Sequence, residues 1–373
     1  MVKKDAHYYA MLGFCRGCGF DKESALTLAY ASQFVDDAKI NLMFIKNPNK
    51  KIQYEIVGNR PAFFNIATCH YYFKIKTFNY EAMINNTCAF HFVPGCQGDN
   101  FSKKLRCAEE SPVIVDILEE ALLEDNLIKF GVALHSYADS FSHQGFSGLL
   151  SKVNDIKNCR SQNKEYFLGI FDGFLNTLEG FGKQRYEKLF DTFVPCYGHS
   201  QALDYPDLPY LEWSYKYDQS SGFYNRYRET KIDNRDRYSR AFKRIRSYLQ
   251  RFLSKHNHYR DSDLEYDNFD LLLKTLTSKK SDWAREANWI RVLVTSGLFN
   301  KRDLDLIIYK EDQWLKEAFC NYSPKTFNNR TIKEVELAAD FSDSHWYQFY
   351  LAVKWYKRKF FEYCRKYGLV FPN

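Results

Sequence analysis

The stretch Ala133-Leu-His-Ser-Tyr-Ala-Asp-Ser-Phe-Ser-His-Gln-Gly-Phe146 decides how this sequence is read. His135, Asp139 and His143 stand at i, i+4 and i+8. At 3.6 residues per turn they fall within about 80° of one another, so one helix face presents all three. Leu134, Ala138 and Phe141 flank that face and turn it toward the edge of a core. Buried histidine and aspartate need partners, because an unpaired polar or charged group is costly away from water. An imidazole–carboxylate–imidazole set suits zinc or a similar divalent ion. Two surface histidines, or a satisfied Asp–His hydrogen bond, give the same spacing.

Helical signals continue on both sides. Residues about 5–18 read as a first helix stopped by Gly19. Asp21 reads as the N-cap of a second, carrying Ala25, Leu28, Ala29, Ala31 and Phe34 to about Ile40. Ser111-Pro112 opens a helix through Glu124, and Asp125 reads as the cap of the helix over about 126–143. Residues 164–192 are expected to be helical. Residues 234–255 form a basic amphipathic helix with Tyr238, Phe242, Ile245, Tyr248, Leu249 and Phe252 on its apolar face. The end, about 331–367, is aromatic and helical. Residues 41–111 are the least helical stretch. Their β-prone runs Ile52–Val57 and His70–Phe78, with Gly-Asn and Pro-Gly punctuation, point to a small hairpin or long loops.

The 373 residues are 45% hydrophobic and 27% charged, which excludes a disordered or fibrous chain. Aromatic content is 18% against 9 Pro and 17 Gly, so long helices and a substantial core are expected. The expected architecture is all-α. A metal-binding unit spans 1–255, with an irregular insertion at 41–111. A helical extension, 256–373, packs on it.

The net charge of +7 is local. Between Ser221 and Arg260 stand twelve Lys/Arg against three Asp/Glu. That segment is either a solvated helix face or a contact for phosphate, lipid headgroups, nucleic acid or an anionic membrane surface. Ten cysteines with one C-x-x-C, at Cys15 and Cys18, make neither a zinc knuckle nor a disulfide framework at this length. A reducing compartment is the default. No apolar signal segment and no transmembrane run is visible. The expected location is the cytoplasm, or outside by a route that needs no amino-terminal signal.

Six of nine histidines, His7, His70, His91, His135, His143 and His199, lie in the first 200 residues. Asp36 and Asp37 end the second helix, where vicinal carboxylates oppose the helix dipole and a cation would relieve them.

The His-x-x-x-Asp-x-x-x-His helix resembles that of the Het-C and glycosylphosphatidylinositol phospholipase D relatives. More loosely it resembles the zinc-dependent phospholipase C and S1/P1 nuclease families. In those two the Asp-to-His gap is usually longer than the three residues found here. The wider pattern is also similar to a bacterial family without established activity, over roughly residues 5–215. That pattern comprises His7-Tyr-Tyr, Ala29-Tyr-Ala-Ser-Gln-Phe-Val-Asp-Asp37, Phe90-His-Phe92, Ser142-His-Gln-Gly-Phe-Ser-Gly148 and Gly198-His199.

The resemblance implies a helical fold with a two- or three-zinc cluster that hydrolyses phosphodiesters, and one to three zinc ions are expected here. It implies His7, Asp36, Asp37, His91, His135, Asp139, His143 and His199 as ligands, with Asp36 or Asp37 as general base. His70 competes with His91. The late carboxylate expected four residues after His199 is replaced by Leu203, leaving Asp204, Asp207 or neither. The reading that follows is a zinc-dependent hydrolase of phosphodiester or phospholipid-like substrates. The alternatives are a metal nuclease of S1/P1 type and a non-catalytic effector module with a structural metal.

Overall fold

The computed structural model describes residues 3–69, 79–161, 196–217, 229–328 and 334–372. The chain begins with a π-helical turn, Asp5–Ala10, that runs directly into α1 (Met11–Gly17). Helix α2 (Lys22–Asp37) starts where Asp21 accepts from the Ser24 amide at 2.9 Å. It stops at Asp37, three residues before the expected end. Helix α3 (Pro112–Leu123) has Pro at its first position, where a missing N–H costs nothing. Helix α4 (Leu127–Ser142) carries the decisive stretch. Its cap is Asn126, which accepts from the Lys129 amide at 2.9 Å, and not Asp125. Farther along lie α5 (Asn234–Lys255), α6 (Phe269–Leu276), α7 (Asp282–Thr295) and α8 (His345–Lys366).

The described residues are mainly helical, as expected, but two sheets among them correct the all-α part of that expectation. One sheet has the order β2-β3-β1-β7, from β1 (Leu42–Ile45), β2 (Glu55–Val57), β3 (Arg60–Phe64) and β7 (Glu334–Val335). Its hairpin turns at Gly58-Asn59, both with positive φ (54° and 61°), the conformation a two-residue type I′ turn requires. Strand β7 pairs parallel with β1, joining the insertion to the carboxy-terminal part of the chain. A second, antiparallel sheet comprises β4 (Ile156–Ser161), β5 (Glu212–Tyr217) and β6 (Glu229–Asp233). The helix expected over 164–192 and the strand run expected at 70–78 lie outside the described residues.

One hydrophobic core runs from Tyr8 and Phe14 through Leu134 and Phe252 to Trp289 and Tyr356. A smaller one, with Phe92, Phe146, Trp213 and Tyr215, sits under the second sheet. Helices α2 and α4 cross closely at Gly131. A Cβ there would stand 2.6 Å from the Leu28 carbonyl oxygen. That crossing sets the end of α2 beside the histidine face of α4. No described helix is long and apolar enough to cross a membrane.

Candidate metal centre

Four structural elements converge on the acidic centre of α4. His135 and Asp139 project from the helix body, and His143 is its C-cap residue. His7 comes from the opening π-helical turn. His91 follows a second π-helical segment, Met83–Cys88. Such segments widen a helix by one residue per turn and recur at functional sites. Asp36 arrives at the end of α2. His199 and Asp207 come from the short turns between residues 196 and 208.

Asp139 is the hub. Its Oδ1 lies 3.0 Å from His7 Nε2. Its Oδ2 lies 3.1 Å from His91 Nδ1, 3.4 Å from His135 Nε2 and 3.6 Å from His143 Nδ1. His135 Nε2 is 3.2 Å from His91 Nδ1. Asp36 Oδ1 is 3.8 Å from His91 Nδ1 and 3.9 Å from His135 Nε2. Beyond His143, its Nε2 meets Asp207 Oδ1 at 3.1 Å, and His199 Nε2 meets Asp207 Oδ2 at 3.5 Å. Among the described residues three ligand-type groups result: His7–Asp36–His135, His91–His135–Asp139 and His143–His199–Asp207.

The outer hydrogen bonds to carbonyls, which can only accept, favour one tautomer for each ring. His91 Nε2–H donates to the Thr68 carbonyl at 3.1 Å. His143 Nδ1–H donates to the His91 carbonyl at 2.6 Å, and His199 Nδ1–H to the Leu203 carbonyl at 2.7 Å. Each ring spends one hydrogen outward, and its other nitrogen faces a carboxylate. A lone pair against a carboxylate oxygen is repulsive unless a proton or a cation lies between them.

His143 is pulled both ways. Burial opposes its charge, but Asp139 and Asp207 outweigh burial and raise its pKa. His91, His135 and His199 are different. Burial pushes each down to about 4, so they are neutral at pH 7. Burial lowers His7 as well. Burial alone would raise Asp139, yet His143, His135 and His7 hold it well below the usual carboxylate range. Asp36 is raised well above that range, by burial and then by the charge of Asp139.

A cation would satisfy this arrangement. Asp36 Oδ1, His7 Nδ1 and His199 Nε2 are buried without a hydrogen-bond partner. The His91, His135 and Asp139 donor atoms stand 3.1–3.4 Å apart. A tetrahedral ion with bonds of about 2.0–2.1 Å would separate its ligand atoms by roughly 3.3–3.4 Å. The outward bonds to Thr68, His91 and Leu203 are the kind that orient metal-binding imidazoles. Leu203 itself has φ 51°, a conformation costing a non-glycine residue about 1–3 kcal/mol, at the residue whose carbonyl receives His199.

Two expected residues stand apart. Asp37, expected to ligate metal or act as base, turns away from the cluster. Tyr309 Oη donates to it at 2.6 Å and Gln33 Nε2 at 3.3 Å, because successive helical residues point about 100° apart. Of the two late carboxylates, Asp207 reaches the cluster, while Asp204 pairs with Lys3 at 3.4 Å near the surface. His70, the competitor of His91, lies outside the described residues. The carbonyls of Thr68 and Leu203 carry no residue signature that a sequence reading could find.

The basic segment is less bare than its composition. Arg251 makes a two-pronged contact with Glu119 at 2.8 and 2.6 Å. Arg240 pairs with Glu109 and Asp236, and Arg235 with Glu212 and Asp233. The guanidinium of Arg246 lies over the Phe269 ring at 3.6 Å. Residues 221–228 lie outside the described set.

Fold and site together define a mainly helical protein with buried histidine–carboxylate clusters able to hold metal ions. The chain belongs to DUF6765, a family of unknown function, whose model matches residues 2–364. Neither a curated protein nor a solved structure matches it.

Proposed function

We propose that the chain is a zinc-dependent hydrolase acting on phosphodiester-type substrates. The observation that carries this reading is the set of buried histidine rings that place one nitrogen against a backbone carbonyl and the other against a carboxylate oxygen of Asp139 or Asp207. The holding residues are His7, Asp36, His91, His135, Asp139, His143, His199 and Asp207.

The donor types support zinc and a catalytic role. No cysteine forms a disulfide, and among the described residues none joins a ligand group. Structural zinc sites draw heavily on cysteine, whereas catalytic ones use histidine and carboxylate and keep a position open. Bound divalent ions would polarise a phosphoryl oxygen and make water nucleophilic near neutral pH. The chain's own groups do the rest. Asp139 turns its two oxygens toward different histidines. The carbonyls of Thr68 and Leu203 fix ring orientation. Asp36, with a raised pKa, is suited to take and hold a proton. The choice of phosphodiesters rests on the resemblance of the α4 motif to the zinc phospholipase C and Het-C type helices.

A substrate panel tests this reading. Zinc-loaded protein would be assayed with bis(p-nitrophenyl) phosphate, p-nitrophenyl phosphorylcholine and single-stranded DNA. Turnover should vanish on chelation, return with Zn²⁺, and fall at least about a hundredfold in Asp139→Asn. Preference for DNA would select the nuclease alternative. Absence of zinc-dependent turnover on every substrate would refute the phosphodiester assignment.

One observation favours a second reading, a structural metal in a non-catalytic module. The ligand-type residues are only 0–6% exposed. Under that reading metal removal lowers the melting temperature, and no substrate is turned over.

A further inference from the structure

Helix α8 sends two successive polar side chains beneath His91. Tyr356 Oη donates to the Ala89 carbonyl at 2.9 Å. Lys357 is 5% exposed, and its Nζ meets four oxygens: Asn65 O at 2.8 Å, Asn65 Oδ1 at 2.9 Å, Ala67 O at 2.8 Å and Asn86 Oδ1 at 3.2 Å. A lysine has at most three hydrogens to give, so these four acceptors use its full capacity. None of the contacts is to a carboxylate, so the cage replaces the ion pair a buried lysine usually requires.

The four oxygens come from two segments that both end at His91. The turn Asn65–Ala67 leads into Thr68, whose carbonyl accepts from His91 Nε2–H. Asn86 lies in the π-helical segment that leads into His91 itself. Asn65 sits at φ 55°, a strained conformation for a non-glycine residue, and Lys357 holds both of its oxygens. One buried amine therefore fixes the Thr68 acceptor relative to the backbone that carries the imidazole.

We propose that Lys357 is a positioning residue for the metal centre: it holds the Thr68 carbonyl against His91 Nε2–H and so keeps His91 Nδ1 bare and directed at Asp139. The link to metal rests on the reading of Nδ1 as a ligand atom; the link to the tautomer does not.

The test compares Lys357→Met, which keeps the stem and removes the donors, with Tyr350→Phe on the same helix. Tyr350 contacts Glu55 at 2.8 Å and leaves the Asn65 cage alone. Nitrogen-15 NMR of the histidine rings in metal-free protein at neutral pH reads the tautomer. Wild type and Tyr350→Phe should show His91 protonated at Nε2, and Lys357→Met a mixture of both forms. Zn²⁺ affinity by chelator competition should fall about 10–100-fold in Lys357→Met and hold in Tyr350→Phe. Asn65→Gly keeps the left-handed turn and removes one cage oxygen. It should show the same changes to a smaller degree, and it decides the matter if Lys357→Met does not fold. An unchanged His91 tautomer in the folded variant overturns the proposal, even if stability drops. If wild type binds no zinc, the metal reading fails, and the tautomer measurement still decides the role of Lys357.

Discussion

Asp36 Oδ1 lies within 3.9 Å of two histidine nitrogens, whereas Asp37 bonds to Tyr309 and Gln33. The vicinal pair signalled a charge problem in the sequence, but not which member turns inward, because that depends on how α2 is rotated against α4. The contrast gives a prediction. Asp36→Ala should weaken zinc binding at least about tenfold. Asp37→Ala should leave metal stoichiometry unchanged and cost about 1–3 kcal/mol by stranding the Tyr309 hydroxyl. Chelator competition and denaturant melts separate the two effects. The pKa shifts give a second prediction. His91, His135 and His199 titrate near 4 in the fold and near 6.5 when unfolded. The unfolded chain then binds more protons between these values, so stability present above pH 6.5 is lost as pH falls toward 4. Each such histidine contributes up to about 1.4 kcal/mol per pH unit. His143 is shifted upward and acts in the opposite sense, above pH 6.5. Thermal melts of metal-free protein should therefore fall steeply from pH 6.5 to 4, and a flat profile would contradict the neutral-histidine assignment.

The helices were legible because caps and a 3.6-residue period are local signals. Asp21 and Pro112 mark their starts as read; Asn126 displaced Asp125 because either residue can cap and the backbone turn chooses. The sheets were not legible for the opposite reason. Strand β7 is two residues long and pairs with β1 nearly 300 positions away. Strand β5 does carry a period-two signal, with Trp213 and Tyr215 buried, but it directly follows Pro206 and Pro209, which are turn punctuation. Gly131 decides how α2 meets α4. In an open helix Gly→Ala stabilises by about 0.8–1.0 kcal/mol. Here the added carbon would meet Leu28 O at 2.6 Å and Ala31 Cβ at 2.9 Å. Gly131→Ala should instead destabilise by about 1–3 kcal/mol, and it should loosen zinc binding by displacing Asp36. Urea unfolding with and without Zn²⁺ checks both signs.

Across the whole molecule, distant segments of the chain are tied to the same site. Asp5, two residues before His7, is held by the buried Arg285 of α7. Lys357 of α8 grips the approach to His91, and Asp207 enters from the turns before β5. The α4 spacing announced the centre, but its support came from backbone carbonyls and from residues far along the chain, which spacing cannot reveal. The central claim is that this centre binds metal. Its most direct test is titration of chelator-treated protein with Zn²⁺, followed by elemental analysis after gel filtration and a thermal melt. The expected result is at least one tightly held zinc per chain, a raised melting temperature, and loss of both in Asp139→Asn. Less than one equivalent in the wild type, with no change in melting temperature, would contradict it.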